Sequence, residues 1–551
     1  MSSAFTKRSR VIGLVAGTAA FSMILAGCAA GNDDGGGASG GSLIIGTTDK
    51  VTYLDPAGSY DNGSFAVMNQ VYPFLLNSEP GGSDVVPDIA VSAEYTTPNQ
   101  YTVVLKEGLT FANGNELTSS DVKFSFDRQK AIAFATGPSS LLGNLETVDA
   151  VDDTTIVFNL TNGNDQIFPQ ILSSPAAPIV DEEVFSATEV TDDDDIIAGN
   201  AFAGQYVIDS YDFNNLISFK ENEAYDGVLG APASPVVQLK YYAEASNLKL
   251  DVQEGGIDVA YRSLSATDVA DLETNDNVEV VIGPGGETRY IVFNFDTQPF
   301  GSETDDADPA KSLAVRQAAA HLVDREALSE QVYKGTYLPL YSYVPAGLVG
   351  ATEPLKELYG TDGGPDLEKA TAVLAEAGIT EPVTLNLQFN PDHYGESSGD
   401  EYALVESQLE EGGLFDVSLQ STEWTQYSAD RVADLYPAYQ LGWFPDYSDA
   451  DNYLSPFFIP SANAEGEMID GGFLQNHYAN DEVTALIKAQ ATEVDPATRE
   501  TMLGDIQALV AADLSTLPLL QGAQVAVVGT DVSGTVLDGS FKFRFGTMVK
   551  G

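Results

Sequence analysis

The sequence predicts an α/β protein of two lobes that are joined by two extended crossings. First, a chain of 551 residues is too long for one hydrophobic core. Second, short apolar runs typical of strands alternate with stretches of helical spacing along most of the chain. Third, two apolar runs flanked by turn residues, 290–294 and 517–528, are candidates for the outward and return crossings.

The predicted lobes follow from the positions of these two runs. We expect the first lobe over residues 43–288, the second over 289–516, and a return to the first lobe over 517–551. Two crossings would let the lobes close on each other about a hinge while each core stays intact.

The first 42 residues are predicted to lie outside the folded body. Residues 1–28 have a basic start, an apolar segment of about sixteen residues at 11–26, and then Cys28, which is the pattern of a secretory signal. The apolar segment is shorter than the roughly 20 residues of a membrane-spanning helix. The sequence Leu25-Ala26-Gly27-Cys28 resembles the lipobox of bacterial lipoproteins, in which the cysteine receives a diacylglycerol group. Residues 29–42, rich in Gly, Ala and Ser, are predicted to be a flexible tether.

The charge of the chain excludes some classes of partner. There are 82 acidic and 25 basic residues, which gives a formal charge of −57. Such a balance repels phosphate backbones and anionic lipids, so we expect no nucleic acid and no polybasic docking on membranes. Because 43% of the residues are hydrophobic, the chain is predicted to fold despite its charge.

Several helices are predicted from apolar spacing and capping residues. One starts at Ser119 or Ser120, two more cover 313–322 and 367–377, and two lie within 482–513, the second capped by Asp495. His321 lies in an apolar stripe, and we expect it to be a hydrogen-bonded helix residue rather than a ligand.

Residues 442–453 are the strongest candidate for a binding segment. Aromatic side chains and the carboxylates of Asp446, Asp449 and Asp451 are concentrated in these twelve positions. An aromatic wall supplies apolar area, and a carboxylate within it is useful when a cation meets it. The composition therefore predicts a site for a molecule with an ammonium group. Asp449 and Asp451 are expected to be turn and capping residues.

The order of several motifs resembles one known family. The motifs are Tyr-Leu-Asp-Pro at 53–56, Tyr-Thr-Val-Val-Leu-Lys at 101–106, Leu-Thr-Phe-Ala-Asn-Gly at 109–114, Tyr-Ile-Val-Phe-Asn at 290–294 and Gly-Trp-Phe-Pro-Asp-Tyr at 442–447. In this order they resemble the solute-binding lipoproteins of peptide-type ABC importers, family 5, and the resemblance covers essentially the whole mature chain.

This resemblance implies a fold, a function and a location. The fold would be the bilobal periplasmic-binding-protein-like fold of type II, with an extra subdomain at about 78–185 in the first lobe. The protein would capture di- or oligopeptides between its lobes and deliver them to the permease and ATPase subunits of an ABC importer. It would be a monomer without catalysis or cofactor, anchored through Cys28 to the outer face of the cell membrane.

The resemblance also implies the residues of the site. Asp446 would pair with the ammonium group of the peptide, and Trp443 would line the wall. Backbone groups near Gly442 and Phe444 would bond the peptide main chain as an added strand. Tyr447 belongs to the same motif, and Phe74 and Leu75 stand at the expected edge of the pocket in the first lobe.

Two departures from the family pattern leave alternatives open. Gln440 stands where the oligopeptide-binding branch can have an arginine for the ligand carboxylate, and Pro73 replaces part of a Phe-Glu-Gly-Leu motif. A binder of an oligosaccharide, opine, siderophore or nickel complex therefore remains an alternative. A glycoside hydrolase that uses Asp446 and Asp449 is a less favoured one.

Metal sites are not expected. Residues 449–460 lack the glycine and the final glutamate of a calcium-binding loop. The three histidines, His321, His393 and His477, are dispersed along the chain, which does not suit zinc.

Overall fold

Two large mixed sheets carry most of the strands of the protein. The computed structural model describes residues 42–395, 397–462 and 468–551. The predicted signal, Cys28 and most of the tether therefore lie outside the described residues. The described strands, in chain order, are β1 Leu43–Thr47, β2 Leu76–Ser78, β3 Val85–Pro87, β4 Ala90–Thr97, β5 Gln100–Leu105, β6 Leu145–Ala150, β7 Thr155–Leu160, β8 Tyr206–Asp212, β9 Leu216–Glu221, β10 Val236–Tyr241, β11 Val259–Tyr261, β12 Val278–Gly283, β13 Thr288–Phe293, β14 Tyr337–Pro339, β15 Val383–Phe389, β16 Phe415–Ser421, β17 Ala438–Trp443, β18 Ser461–Ala462, β19 Met468–Ile469, β20 Thr516–Gly522, β21 Gln524–Gly529, β22 Val532–Ser533 and β23 Val549–Lys550.

Helices cover the sheets and fill the connections between strands. The described α-helices are α1 Asn62–Val71, α2 Ser119–Ile132, α3 Phe168–Ile171, α4 Asp193–Gly199, α5 Ala245–Glu254, α6 Ala266–Leu272, α7 Pro309–Leu322, α8 Arg325–Ala327, α9 Pro354–Leu358, α10 Leu367–Glu376, α11 Ser398–Glu410, α12 Trp424–Val432, α13 Ser455–Phe458, α14 Asp481–Gln490 and α15 Pro496–Asp513. Every helix in the described part of the chain is too short or too polar to cross a membrane. The mixture of sheets and helices confirms the predicted α/β class.

The seven-stranded sheet brings together distant parts of the chain. Its order is β12-β21-β11-β1-β10-β9-β8. The first strand, β1, pairs in parallel with β10 and β11, whereas β21, from near the C-terminus, is antiparallel between β11 and β12. Leu43, Val259 and Ala526 are fully buried in its core. The N-terminal and C-terminal strands of the described chain therefore share one hydrophobic core.

The six-stranded sheet has the order β14-β20-β13-β17-β15-β16. Its central strand, β13, is antiparallel to both β17 and β20. All six residues of β13 are buried, which explains its continuous apolar run. This sheet positions β17, the strand that leads directly into the candidate binding segment.

A separate four-stranded antiparallel sheet, β4-β5-β7-β6, lies within the predicted subdomain range 78–185. Alternate residues of β5 and β7 are buried, and Phe126 of α2 packs onto Phe158 of β7 with ring centroids 5.0 Å apart. This sheet has its own core, while the exact domain boundaries stay a prediction.

The chain passes between the two large sheets at two neighbouring places. The outward passage covers residues 284–287, between β12 and β13, and the return passage is Ala523, between β20 and β21. The sequence placed the outward crossing at 290–294, but residues 290–293 lie inside β13. That run is apolar because the middle of the sheet is buried, not because it bridges the lobes. The predicted return run, 517–528, does contain the observed passage.

The helix termini agree closely with the capping signals. Asp495 caps α15 by accepting a 2.8 Å hydrogen bond from the Thr498 amide, as predicted. Helix α2 begins at Ser119, and its cap is the preceding Thr118. The His321 Nδ1 atom accepts a 2.8 Å hydrogen bond from the Gly360 amide, which confirms the expected structural role.

Candidate functional site

A cavity of about 840 Å³ lies between the two large sheets, beside both passages. Five segments contribute most of its wall: residues 261–268 after β11, 285–289 at the outward passage, 444–448 after β17, 522–525 at the return passage, and 540–542 near the C-terminus. The volume falls within the roughly 300–1,000 Å³ of small-molecule sites. The position and size of this cavity make it the candidate binding site.

Three of the predicted site residues line this cavity: Phe444, Asp446 and Tyr447. They follow directly after β17, whose pairing with β13 fixes where the segment leaves the sheet. Phe444 is 38% exposed and lines the cavity, which leaves its ring available to a ligand. The aromatic and acidic composition of the segment therefore located part of the cavity wall.

Asp446 is distinguished within the segment by its hydrogen-bond partners and by its pKa. Its Oδ1 atom accepts a hydrogen bond from the Tyr60 hydroxyl, and its Oδ2 atom accepts one of 3.0 Å from Asn452 Nδ2. Both of these partners are neutral, and burial raises the pKa of the Asp446 carboxyl above its usual value. The carboxylate thus lacks charge compensation from its direct partners, and a cation would supply it.

The contact between Tyr60 and Asp446 also joins the two walls of the cavity. Tyr60 immediately precedes the N-cap of α1, which is Asp61, and α1 packs on the seven-stranded side, whereas Asp446 follows a strand of the six-stranded sheet. The Tyr60 side chain is 39% exposed. A ligand group that bonds Asp446 would therefore compete with Tyr60 or share the carboxylate with it.

Trp443 and Gly442, two residues of the same segment that were predicted to contact the ligand, lie outside the cavity wall. The Trp443 indole donates a 2.9 Å hydrogen bond from Nε1 to Asn452 Oδ1, and its ring packs edge-on against Phe457 and Phe473. The Gly442 amide donates a 3.0 Å bond to the Tyr394 hydroxyl. Neither residue lines the cavity. The direct ligand contacts expected for both stay a prediction, and in this structure the two groups bond other parts of the protein.

Phe74 and Leu75 are also absent from the cavity wall. They are 1% and 0% exposed and belong to the core around the four-stranded sheet. Phe65, whose ring lies edge-on to Phe74 at 6.4 Å, lines the cavity instead. The expected pocket edge at 74–75 stays a prediction, while in this structure packing against the four-stranded sheet covers both side chains.

Asp449 has the capping role that was expected, whereas Asp451 is a buried carboxylate bonded by other side chains. Asp449 caps the short 3-10 helix Ala450–Tyr453 and forms a bidentate ion pair with Arg499, with N–O distances of 2.7 and 2.9 Å. Asp451 accepts hydrogen bonds from Ser455 and Gln490, and burial raises its pKa to about 6. The three carboxylates of the segment thus have different partners. Within the described residues, no group of three or more His, Cys, Asp or Glu side chains is arranged for a metal.

Gln440 lies in the core rather than at the cavity. Its side chain is fully buried, and Nε2 donates a 3.1 Å hydrogen bond to Ser398 Oγ. Its Oε1 atom accepts a bond of 2.9 Å from the Asn390 amide. Gln440 is therefore not placed to contact a ligand in the cavity.

Sequence reasoning missed the three cations of the wall, Arg262, Arg289 and Lys542. Arg289 donates to Glu287 and to the Tyr337 hydroxyl, and Lys542 donates to Asn77 and Ser173. Burial lowers the pKa of Lys542 to about 7. These residues are far apart in the chain and belong to no local motif. The only feature of the sequence that could have indicated them is that basic residues are few in so acidic a protein.

Comparisons with known proteins identify one family of solute-binding proteins. Residues 84–465 match the family model described as bacterial extracellular solute-binding proteins, family 5 Middle. The dipeptide-binding protein DppE of Bacillus subtilis (strain 168) is 24% identical over 557 residues, which cover 94% of each chain.

Solved structures show the same fold over nearly the whole chain. HbpA2 from Haemophilus parasuis matches with a TM-score of 0.77 at 19% identity, covering 93% of this chain and 100% of its own. A dipeptide-binding protein from Pseudoalteromonas sp. SM9913, in complex with Met-Leu, matches with a TM-score of 0.69 at 19% identity and the same coverage. These likenesses establish the bilobal fold that the sequence predicted.

Proposed function

The chain belongs to the bacterial extracellular solute-binding proteins of family 5, and from this premise we propose that it captures short peptides for an ABC importer. The peptide would occupy the cavity of about 840 Å³ between the two large sheets. Relatives described as dipeptide-binding proteins support this choice of ligand. The peptide would be released unchanged to the permease, whose ATPase subunits drive transport.

The observation that supports the proposal most strongly is the environment of the Asp446 carboxylate. It is a half-buried carboxylate on the cavity wall, bonded only by neutral groups in the described structure, and its pKa is raised by burial. Every free peptide carries an α-ammonium group, which matches this carboxylate whatever the side chains are. A charge-assisted hydrogen bond in a site shielded from water would hold the amino end of the ligand.

The proposal is tested by presenting the protein with a mixture of ligands. Purified protein is incubated with an equimolar library of two- to five-residue peptides together with a set of oligosaccharides, and captured molecules are identified by native mass spectrometry. We expect retention of intact peptides. Retention of oligosaccharides alone, or cleavage of any library member, would contradict it.

Attachment to the membrane is a second part of the proposal. We propose that Cys28 carries a lipid and that the folded body stays close to the outer face of the membrane as a monomer, as the lipobox-like sequence indicates. In the native host, Cys28→Ser is expected to move the protein from the detergent-rich phase to the aqueous phase in Triton X-114 partitioning. An unchanged partition would overturn the anchor, and it would leave the peptide proposal in place.

A further inference from the structure

We propose that Arg262 receives the carboxylate of the ligand and so takes the role for which Gln440 is not placed. This inference rests on the proposed function, because it assigns the second end of the same ligand. Three observations support it. The Nη atoms of Arg262 have no acceptor among the described residues, its backbone has an unusual conformation, and its guanidinium lies close to the segment that contains Asp446.

The guanidinium of Arg262 is available in a way that the other two cations of the wall are not. Arg289 and Lys542 both donate hydrogen bonds to protein acceptors, and the Arg289 Nη1 atom, which has no hydrogen-bond partner among the described residues, is buried. Arg262 has an ion-pair contact of 3.2 Å from Nε to Asp49 Oδ2, and its side chain is 34% exposed. Among the described residues, none accepts a hydrogen bond from its Nη atoms. Its two terminal nitrogens can therefore bond a carboxylate in a bidentate manner.

The backbone holds Arg262 in an unusual conformation at the cavity wall. Arg262 and Ser263 have φ angles of 57° and 67°, in the left-handed region that residues with a side chain seldom adopt. The Arg262 amide donates a 3.1 Å hydrogen bond to the Val525 carbonyl, next to the return passage. This turn directs the chain out of β11 and along the cavity. Strained residues of this kind concentrate at binding sites.

The position of Arg262 fits a short ligand. Its Cζ atom lies 5.8 Å from the centroid of the Phe444 ring, and Asp446 is only two residues beyond Phe444. Arg262 and Asp446 both line the same cavity of about 840 Å³. One small ligand in this cavity can therefore reach both side chains. A dipeptide or tripeptide could place its ammonium group at Asp446 and its carboxylate at Arg262.

Asp49 sets the strength of this interaction. As the existing counter-ion of Arg262, it competes with an incoming carboxylate for the same guanidinium. Removing its charge should therefore tighten the binding of peptides with a free carboxylate, whereas removing Arg262 should weaken it.

The test compares free peptides with their C-terminal amides. Peptides captured from the library are resynthesised in both forms and titrated calorimetrically against the wild type, Arg262→Gln, Arg262→Lys and Asp49→Asn. Lys220→Gln, on the outer part of the seven-stranded sheet, loses one positive charge away from the cavity and serves as the control. The amidated peptide reports correct folding of each variant, because its binding does not need Arg262.

We expect the wild type to prefer the free peptide over its amide by at least about 10-fold, the size of a charged hydrogen bond. Arg262→Gln should abolish this preference while binding the amide as before, Arg262→Lys should keep part of it, and Asp49→Asn should increase it. The control should resemble the wild type.

Two contrary outcomes are distinguishable. If the wild type binds free and amidated peptides equally, or if the preference survives in Arg262→Gln, the assignment to Arg262 is wrong and the peptide function stands. If the wild type binds neither form of any peptide in the library, the proposed function itself fails, and this inference fails with it.

Discussion

At the scale of single residues, the cavity wall contains a carboxylate and a guanidinium that can each bond a ligand. Asp446 is bonded by the hydroxyl of Tyr60 and the amide of Asn452, and Arg262 has one ion-pair contact, of 3.2 Å, with Asp49. A zwitterionic ligand would neutralise both groups at once, which is why a peptide fits better than a sugar.

The raised pKa of Asp446 leads to a prediction about pH. Burial lifts this pKa above 3.8, so the carboxyl becomes protonated at a higher pH than an exposed aspartate. Since a bound ammonium group needs the ionised form, the affinity for free peptides should fall as the pH is lowered from about 7 to about 4. Calorimetry across this range measures the effect. A flat profile for the free peptide, or an equal fall in Asp446→Asn, would contradict it.

The sequence identified only part of this site. Phe444, Asp446 and Tyr447 were found because they are neighbours in a segment of unusual composition. Trp443 and Phe74, which the family resemblance implied, do not line the cavity, because each side chain packs against other parts of the protein. Arg262 could not be found, because its role depends on a turn after β11 and on a contact with a segment about 180 residues away.

At the scale of elements, one buried ion pair connects helix α2 to the loop that leads to the cavity. Arg128 of α2 donates two hydrogen bonds, of 2.8 and 2.7 Å, to the carboxylate of Asp55, which also accepts bonds from the amides of Ala57 and Thr191. The two side chains are 2% and 0% exposed. The Tyr-Leu-Asp-Pro motif at 53–56 thus fixes the loop that presents Tyr60 to Asp446.

Breaking this ion pair should destabilise the protein strongly. Arg128→Met leaves the Asp55 carboxylate buried without its cation, and we expect a loss of about 3 kcal/mol or more in the free energy of unfolding. Lys123→Met on the same helix removes the exposed pair with Asp127 and should cost less than about 0.5 kcal/mol. Urea denaturation measures both. Equal stabilities of the two variants would contradict the structural role of Asp55.

Elements were predicted better than contacts between elements. Capping residues such as Asp495 and Thr118 act within a few positions, so the local sequence contains the information. The Asp55–Arg128 pair joins residues 73 positions apart, and no local pattern indicates that the two meet. The misplaced outward crossing has a similar cause, because a buried central strand and an apolar connection look alike in sequence.

At the scale of the whole molecule, the two passages between the large sheets lie side by side. Gly283 pairs with Gln524 at the end of one sheet, and Thr288 pairs with Gln521 at the start of the other. Between them, a Cβ atom on Gly285 would come within 1.8 Å of the Gly522 carbonyl oxygen. The passages are therefore packed backbone against backbone, directly beside the cavity.

This packing predicts that Gly285 tolerates no side chain. Gly285→Ala should push the two passages apart, lower the free energy of unfolding by about 1–3 kcal/mol and weaken peptide binding. Gly504→Ala within α15 is the matched control, because its Cβ would meet only ordinary contacts, 3.6 Å from Thr352, and alanine favours the helix. Urea denaturation and calorimetry report the two effects. Wild-type behaviour of Gly285→Ala would refute the close packing of the passages.

The central claim is that Asp446 holds the ammonium group of a peptide, and one calorimetric comparison tests it most directly. A captured peptide and its N-acetylated form are titrated against the wild type, Asp446→Asn and the control Asp400→Asn, which removes an exposed carboxylate from the same cavity. We expect the wild type and the control to bind the free peptide at least about 10-fold more tightly than the acetylated one, and Asp446→Asn to lose this preference. Undiminished discrimination by Asp446→Asn would show that the ammonium group is held elsewhere.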